Sequence, residues 1–296
     1  MKRSCKESTG RRSHESEDGS TTGSIGRALA GLLALTAALA LSPLLYTAHE
    51  AGAANESETE LAKKTQNPVA DLISVPLQSN WDFTYQDSKT TRYTLNVQPV
   101  IPFSITENWN VITRTILPVI DANSQVPGAD DNSGLGDTTQ SFFFSPKEPV
   151  GGWILGAGPV LYYPTATQHS LGGQKWGAGP TAVLLRQQSG WTYGALLNHI
   201  QSFAGSSARK TISATYMQPF VSYTFKTFTT LTFNTESTYN WEDSQWTVPI
   251  NVMASQLVKF GKLPVQFSLG ARAYATRPTG GPDWGLRFVV TFLLPK

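Results

Sequence analysis

From Leu77 to the C-terminus, apolar and polar residues alternate with a period of two, and turn residues cut the alternation every 12 to 20 positions. Successive side chains on a strand point to opposite faces, so this period predicts β-strands with one greasy and one polar side. Twelve segments carry it: 78–86, 91–105, 109–121, 135–146, 152–165, 175–187, 190–204, 210–225, 228–241, 245–260, 263–276 and 284–294. The last four are the clearest. Over 284–292 the even positions are large and apolar, while the odd ones include Gly285, Arg287 and Thr291. Over 245–260, Trp246, Val248, Ile250, Val252 and Val258 alternate with Gln245, Thr247, Asn251, Ser255 and Lys259. The connections alternate as well. Short ones at 106–108, 147–151, 188–189, 226–227 and 261–262 interleave with longer, more polar ones at 87–90, 122–134, 166–174, 205–209, 242–244 and 277–283. An even strand number with short turns at one end and long loops at the other predicts an all-β fold, a transmembrane antiparallel up-and-down β-barrel over 77–296.

The pattern is different before Leu77. Residues 1–27 are polar with Arg11, Arg12 and Arg27, residues 28–45 are apolar, and small residues fill 51–54. That order predicts a cleaved secretory signal over 1–54. A retained anchor is the alternative, since an 18-residue apolar run is long enough to span a bilayer. Residues 55–76 then form a short periplasmic segment. Asn67 suits an N-cap, Pro68 suits the first helical position, and Val69, Leu72 and Ile73 share one face, so one or two helical turns are expected before Pro76. This segment either leads into the first strand or plugs the pore. The lead-in is the favoured reading.

Composition narrows the function. The chain has 23 Lys+Arg against 21 Asp+Glu, a net charge of +2, and only 15% charged residues. The balance argues against a nucleic-acid binder, which carries a basic patch or stripe. The single cysteine, Cys5, lies in the signal and excludes a disulfide framework. No metal or cofactor motif is evident, so no cofactor is expected. Aromatics gather at predicted strand ends: Trp109, Trp153 and Trp191 beside short turns, and Trp241, Trp246 and Trp284 beside long loops. Amphipathic rings favour the headgroup level, which predicts two girdles in the outer membrane of a Gram-negative cell. A soluble sandwich scatters its aromatics along the strands. Prolines pull the other way: Pro99, Pro102, Pro118, Pro159, Pro180, Pro219 and Pro249 fall inside predicted strands. A proline cannot donate to a ladder, so bulges are expected. Gly156-Ala157-Gly158-Pro159 and Gly177-Ala178-Gly179-Pro180 flank one loop and are predicted to face each other.

Several segments are distinctive as a set: residues 61–76, Tyr93-Thr94-Leu95-Asn96-Val97-Gln98-Pro99, Arg114-Thr115-Ile116-Leu117-Pro118-Val119, Gly134-Leu135-Gly136-Asp137, Phe144-Ser145-Pro146-Lys147, Lys175-Trp176-Gly177-Ala178-Gly179-Pro180, and Asn234-Thr235-Glu236-Ser237-Thr238-Tyr239-Asn240-Trp241-Glu242. Through them, residues 61–296 resemble a family of Gram-negative outer-membrane proteins labelled as transporters and grouped with the phenol meta-cleavage-pathway outer-membrane proteins. The resemblance implies an outer-membrane barrel with a transport role. It brings no established substrate and no agreed functional residues. The ending Phe292-Leu293-Leu294-Pro295-Lys296 departs from the terminal aromatic by which the assembly machinery recognises barrels.

Charge facing lipid at the midplane costs about 2–4 kcal/mol for Arg or Lys, so charged strand residues are expected inward. These are Arg92, Arg114, Asp137, Arg186, Glu236, Lys259, Arg272 and Arg287. Two readings stay open: a salt-bridged wall with Glu236 paired to an arginine, or a cation-lined constriction that favours anions. The expected function is a channel passing small solutes, aromatic or anionic, through a narrow Arg-rich lumen, with outer-membrane lipid and the assembly machinery as its other partners. Two alternatives belong to other classes. One is a structural or adhesive barrel with a blocked lumen. The other is an outer-membrane lipase, which needs a Ser nucleophile beside a His base. His199 has Ser202 as its nearest serine, three residues away and so on the opposite strand face, and Gly-x-Ser-x-Gly is absent. No enzyme is therefore expected. Asp121, Asp130 and Asp131 lack the spacing of a calcium loop.

Overall fold

The computed structural model describes residues 56–84, 90–123 and 132–294. The predicted signal, Asp130, Asp131 and the last two residues lie outside these.

One helix, α1 (Glu56–Lys64), precedes fifteen strand segments. These are β1 (Ile73–Thr84), β2 (Thr90–Val97), β3 (Val100–Ser104), β4 (Trp109–Asn123), β5 (Asn132–Leu135), β6 (Thr138–Pro146), β7 (Ile154–Tyr163), β8 (Lys175–Gln188), β9 (Trp191–Gly205), β10 (Ser213–Thr224), β11 (Thr229–Thr235), β12 (Ser237–Asn240), β13 (Gln245–Phe260), β14 (Leu263–Thr276) and β15 (Trp284–Leu294). Three pairs, β2/β3, β5/β6 and β11/β12, are single strands broken by one or two residues, so the segments make twelve strands. Each strand pairs antiparallel with its neighbour in sequence. β1 then pairs with β15 from Ile73↔Leu294 to Phe83↔Trp284, which closes the sheet on itself. The fold is a closed twelve-stranded up-and-down barrel. Closure leaves no edge with unpaired backbone groups, the condition a strand structure must meet in hydrocarbon.

Every break sits at a proline or opposite one. Pro99 lies in the β2/β3 break, Pro118 accepts from Gly136 in the β5/β6 break (2.8 Å), and Pro249 accepts from Glu236 in the β11/β12 break (3.4 Å). Pro249 also sits at a bulge in the β13–β14 pairing. Pro159 and Pro180 pair directly across β7 and β8, as the mirrored Gly-Ala-Gly-Pro segments led one to expect.

Many buried side chains are polar and many exposed ones apolar. Asn80, Thr181, Thr192, Ser222, Thr230, Asn251, Ser255 and Ser268 are buried, while Leu184, Leu197, Phe233, Phe288 and Leu294 are exposed. Apolar outside and polar inside is the arrangement of a membrane-spanning barrel. Aromatic contacts form two belts. Trp153–Tyr193 and Trp191–Tyr223 lie at the short-turn end, and Tyr239–Trp241, Tyr239–Trp246 and Phe83–Trp284 at the long-loop end. Trp109, exposed, adds to the first belt beside the 106–108 turn.

The helix falls earlier than the sequence indicated. Residues 56–64 are helical, whereas Asn67 closes an isolated turn by accepting from the Val69 amide at 2.9 Å. Pro76 does not end a segment either. It lies inside β1 opposite Thr291, and its carbonyl accepts from Gln98.

Candidate functional site

The interior has two unlike halves. Along β3, β4, β6, β8 and β9, the inward residues Val100, Ile112, Phe143, Val183, Leu185 and Leu196 pack into an apolar core. Val69, from the segment before β1, packs into the same core. Along β1 and β13 to β15 the inward residues include Asn80, Asn251, Ser255, Ser268, Arg272 and Arg287, and a charged cluster crosses the lumen.

Glu236 stands at the centre of that cluster. It sits in the β11/β12 break, where the missing ladder partner leaves its backbone to Pro249. Its two oxygens accept from Arg287 Nη1 and Nη2, both at 2.7 Å, in a bidentate pair. Arg272 Nη2 approaches the same carboxylate at 3.3 Å and also reaches Asn80 at 3.2 Å. Arg272 Nη1 donates to Tyr274 at 3.1 Å and lies 3.5 Å from Asp82. Asn251 and Asn80 complete the shell through Arg272 Nε (3.2 Å) and Arg287 Nε (2.8 Å). Arg272 and Arg287 are 6% and 3% exposed, so both are charges taken out of water that stand only because their donors are satisfied. Gly285 makes the crossing feasible. A Cβ there would fall 2.5 Å from Asp82 Oδ1 and 3.0 Å from Arg272 Cγ.

Arg114 faces the cluster from β4. It donates to Gln98 Oε1 at 2.9 Å, and it forms no ion pair among the described residues. Three arginines against Glu236 and Asp82 leave this cluster with one net positive charge. Between the cluster and residues 64–72 lies a cavity of about 200 Å³. Arg114, Arg287 and Glu236 line it together with Val100, Phe220 and Leu72.

The segment before β1 closes the short-turn end of this cavity. Ala62 packs with Leu257 and Leu293. Gln187 donates to the Lys63 carbonyl at 2.9 Å, and Thr232 donates to Gln66 Oε1 at 3.1 Å.

The remaining charged residues fall elsewhere. Asp137 faces inward at the long-loop end and is spent on the 164–174 loop. It accepts from Tyr162 OH (2.7 Å), Ala166 N (3.1 Å) and Gly173 N (2.6 Å). Arg92 lies exposed near that mouth, in register with Asp82, and Lys259 lies exposed near the short turns. Arg186 departs from its expected inward position. Its neighbours Leu185 and Gln187 point inward, so its own side chain points out. The sequence reading missed Asn80, Asp82, Gln98, Asn251 and Tyr274 as parts of the cluster. Asp82, Asn80 and Asn251 share the inward parity of Arg287 and Arg272, a signal the alternation carried; Gln98 lies in a strand break, where parity fails.

His199 faces outward. Its Nδ1 lies 2.9 Å from Thr215 Oγ1, which also accepts from Trp241 Nε1. Ser202 accepts from the Ile212 amide instead. Among the described residues no group of three or more His, Cys, Asp or Glu is placed to hold a metal.

No family model matches the chain, and no curated protein matches it by sequence. Solved structures do. The COG4313 outer-membrane channel from Pseudomonas putida F1 aligns with a TM-score of 0.61 at 17% identity, covering 76% of this chain and 97% of that one. The likeness is one of fold. The β-domain of the Bordetella autotransporter BrkA (TM-score 0.43, 11% identity, 76% and 100% covered) and outer-membrane phospholipase A from Escherichia coli (0.44, 10%, 76% and 90%) also align. The chain thus has the architecture of an outer-membrane barrel.

Proposed function

We propose that this chain is an outer-membrane channel for small solutes, with its short turns and N-terminal segment on the periplasmic side. The observation that carries the reading is the polar cavity inside a closed, externally apolar barrel. The fold it shares with a channel supports the same reading. We further propose single-ring aromatic anions as the favoured solutes. A cavity of 150 Å³ already holds benzene, so about 200 Å³ suits one substituted ring. Phe220 and Val100 offer an apolar wall, and Arg114 offers a guanidinium not committed to a carboxylate.

Planar-bilayer recording tests both levels. Discrete current steps from folded protein are expected, with reversal potentials showing modest anion preference and benzoate reducing the chloride current. Arg114→Gln should abolish the benzoate effect. Silence from protein shown to be folded would leave the second reading, a structural barrel with a blocked lumen. That reading draws on the bonds of Lys63 and Gln66 to the barrel wall.

A further inference from the structure

Arg186 is a cation on the wrong side of the wall for a lumen. It sits on β8 in register with Tyr193 of β9, and Trp153 makes an edge-on contact with Tyr193 at 5.9 Å. It is therefore level with the short-turn aromatic belt. It is half-buried, and it makes no side-chain hydrogen bond or ion pair among the described residues. An arginine on a lipid-facing wall is tolerated at this depth, where the guanidinium reaches the headgroups.

Beside it the wall is hollowed. Small outward residues, Ala157, Ala182 and Ala195, floor an apolar groove of about 740 Å³, rimmed by Phe144, Leu184 and Leu197. The registers align these residues in rows: Leu155↔Leu184↔Ala195, then Ala157↔Ala182↔Leu197, with Pro159↔Pro180 beyond. Leu184 and Ala182 follow Arg186 on the same face of β8. The groove thus begins at Leu184, the next residue after Arg186 on that face.

We propose that this wall binds one phospholipid, with the phosphate on Arg186 and an acyl chain in the groove. The dimensions agree. Arg186 lies four residues from Ala182, the far row of the groove on this strand, a run of about 14 Å at ~3.4 Å per residue. Strands in such barrels tilt by about 35–45°, which reduces this to roughly 10 Å of depth, within one half of a ~30 Å hydrocarbon core. Lipid is also the occupant the charge selects. A second copy joined about a two-fold axis through this face would bring a second Arg186 toward the first, whereas a phosphate supplies the missing anion with bidentate geometry. The proposal needs the barrel to span a bilayer and is independent of whether it conducts.

Native mass spectrometry of the delipidated, detergent-held protein titrated with dioleoyl-phosphatidylglycerol tests it. One lipid per barrel should survive collisional removal of detergent. Arg186→Gln and Ala182→Phe should each weaken that binding at least tenfold, and Arg186→Lys should recover part of it. Both main substitutions face lipid, and folding is checked by heat-modifiable gel mobility. Ten millimolar inorganic phosphate should not displace the lipid. Binding unchanged in both variants overturns the proposal. So does displacement by phosphate, loss in Arg186→Gln without loss in Ala182→Phe, or a lipid-free dimer cross-linked through Ala182→Cys.

Discussion

Glu236 is the residue on which the interior charge depends. It takes both guanidinium nitrogens of Arg287 and shares Arg272 with Asp82. Replacing it by Gln keeps the shape and removes the charge, leaving two buried arginines to share one distant carboxylate. Breaking a buried pair from one side costs about 3–5 kcal/mol. Glu236→Gln should therefore lower the denaturation midpoint of the detergent-held barrel by that amount, followed by tryptophan fluorescence. A loss below about 1 kcal/mol would mean that water reaches the cluster freely. At the long-loop end, Lys210 and Asp243 form an exposed pair at 2.8 Å. Lys210 holds the Asp243 carboxyl below its ordinary range, and Asp243 raises Lys210. The carboxyl is depressed on folding, so its contribution is present above the ordinary aspartate value and fades as pH falls through the lowered one. The lysine is raised, so its contribution is complete below the ordinary lysine value and fades only in stronger alkali. NMR titration of the 241–244 turn should accordingly show it held to 206–212 across neutral pH. Its release should have an acid midpoint below that of a free aspartate. A midpoint at or above the free value would show that the pair does not form in solution.

At the scale of elements, the alternation located the barrel well because each strand separates lipid from water. That contrast is strongest in β13 to β15, where large apolar residues face out and Asn251, Arg272 and Arg287 face in. It failed where the interior itself is apolar. In β8 the run Val183-Leu184-Leu185 shows no alternation, since Val183 and Leu185 point into a greasy core and Leu184 into lipid. Polarity there no longer marks the inside, and charge alone placed Arg186 wrongly. The helix was illegible for a related reason. Its sequence, ESETELAKK, offers only Leu61 and Ala62 to bury, and the wall that buries them comes from β13 and β15, near the other end of the chain. The breaks were partly legible, because prolines mark them. What they do was not. The β5/β6 break turns Asp137 onto the 164–174 loop, and Thr165 reinforces the tie by donating to the Gly136 carbonyl at 2.9 Å. Asp137→Asn removes charge from three bonds, two of them to this loop. A hydrogen bond to a charged group contributes about 1.5–3 kcal/mol, so this loop should become cleavable by protease added outside intact cells at least tenfold faster. Equal cleavage in the two proteins would assign the loop's order to its threonines instead.

For the whole molecule, the decisive question is whether the segment before β1 shares the lumen with a moving solute. That segment contributes Val69 to the apolar core and Ala62 to a second cluster, while bonds from Gln187 and Thr232 tie its polar groups to the wall. Apolar packing through Val69 and Ala62 thus anchors it. Val69→Asp places a carboxylate among Ile112, Phe143 and Leu185, where desolvation costs several kcal/mol. The twelve-strand ladder does not involve Val69, so the barrel should still close and keep its heat-modifiable mobility. The segment should leave the core. Trypsin on the short-turn side should then cut at Lys63 and Lys64, and single-channel conductance should rise several-fold, because the cavity would open at its closed end. If trypsin cuts but conductance stays at the wild-type level, solutes do not pass this segment, and a route between the charged cluster and β1 must carry them. If wild type and variant are both silent, the segment is not what blocks the lumen, and the apolar half of the interior is a solid core in a barrel that does not conduct.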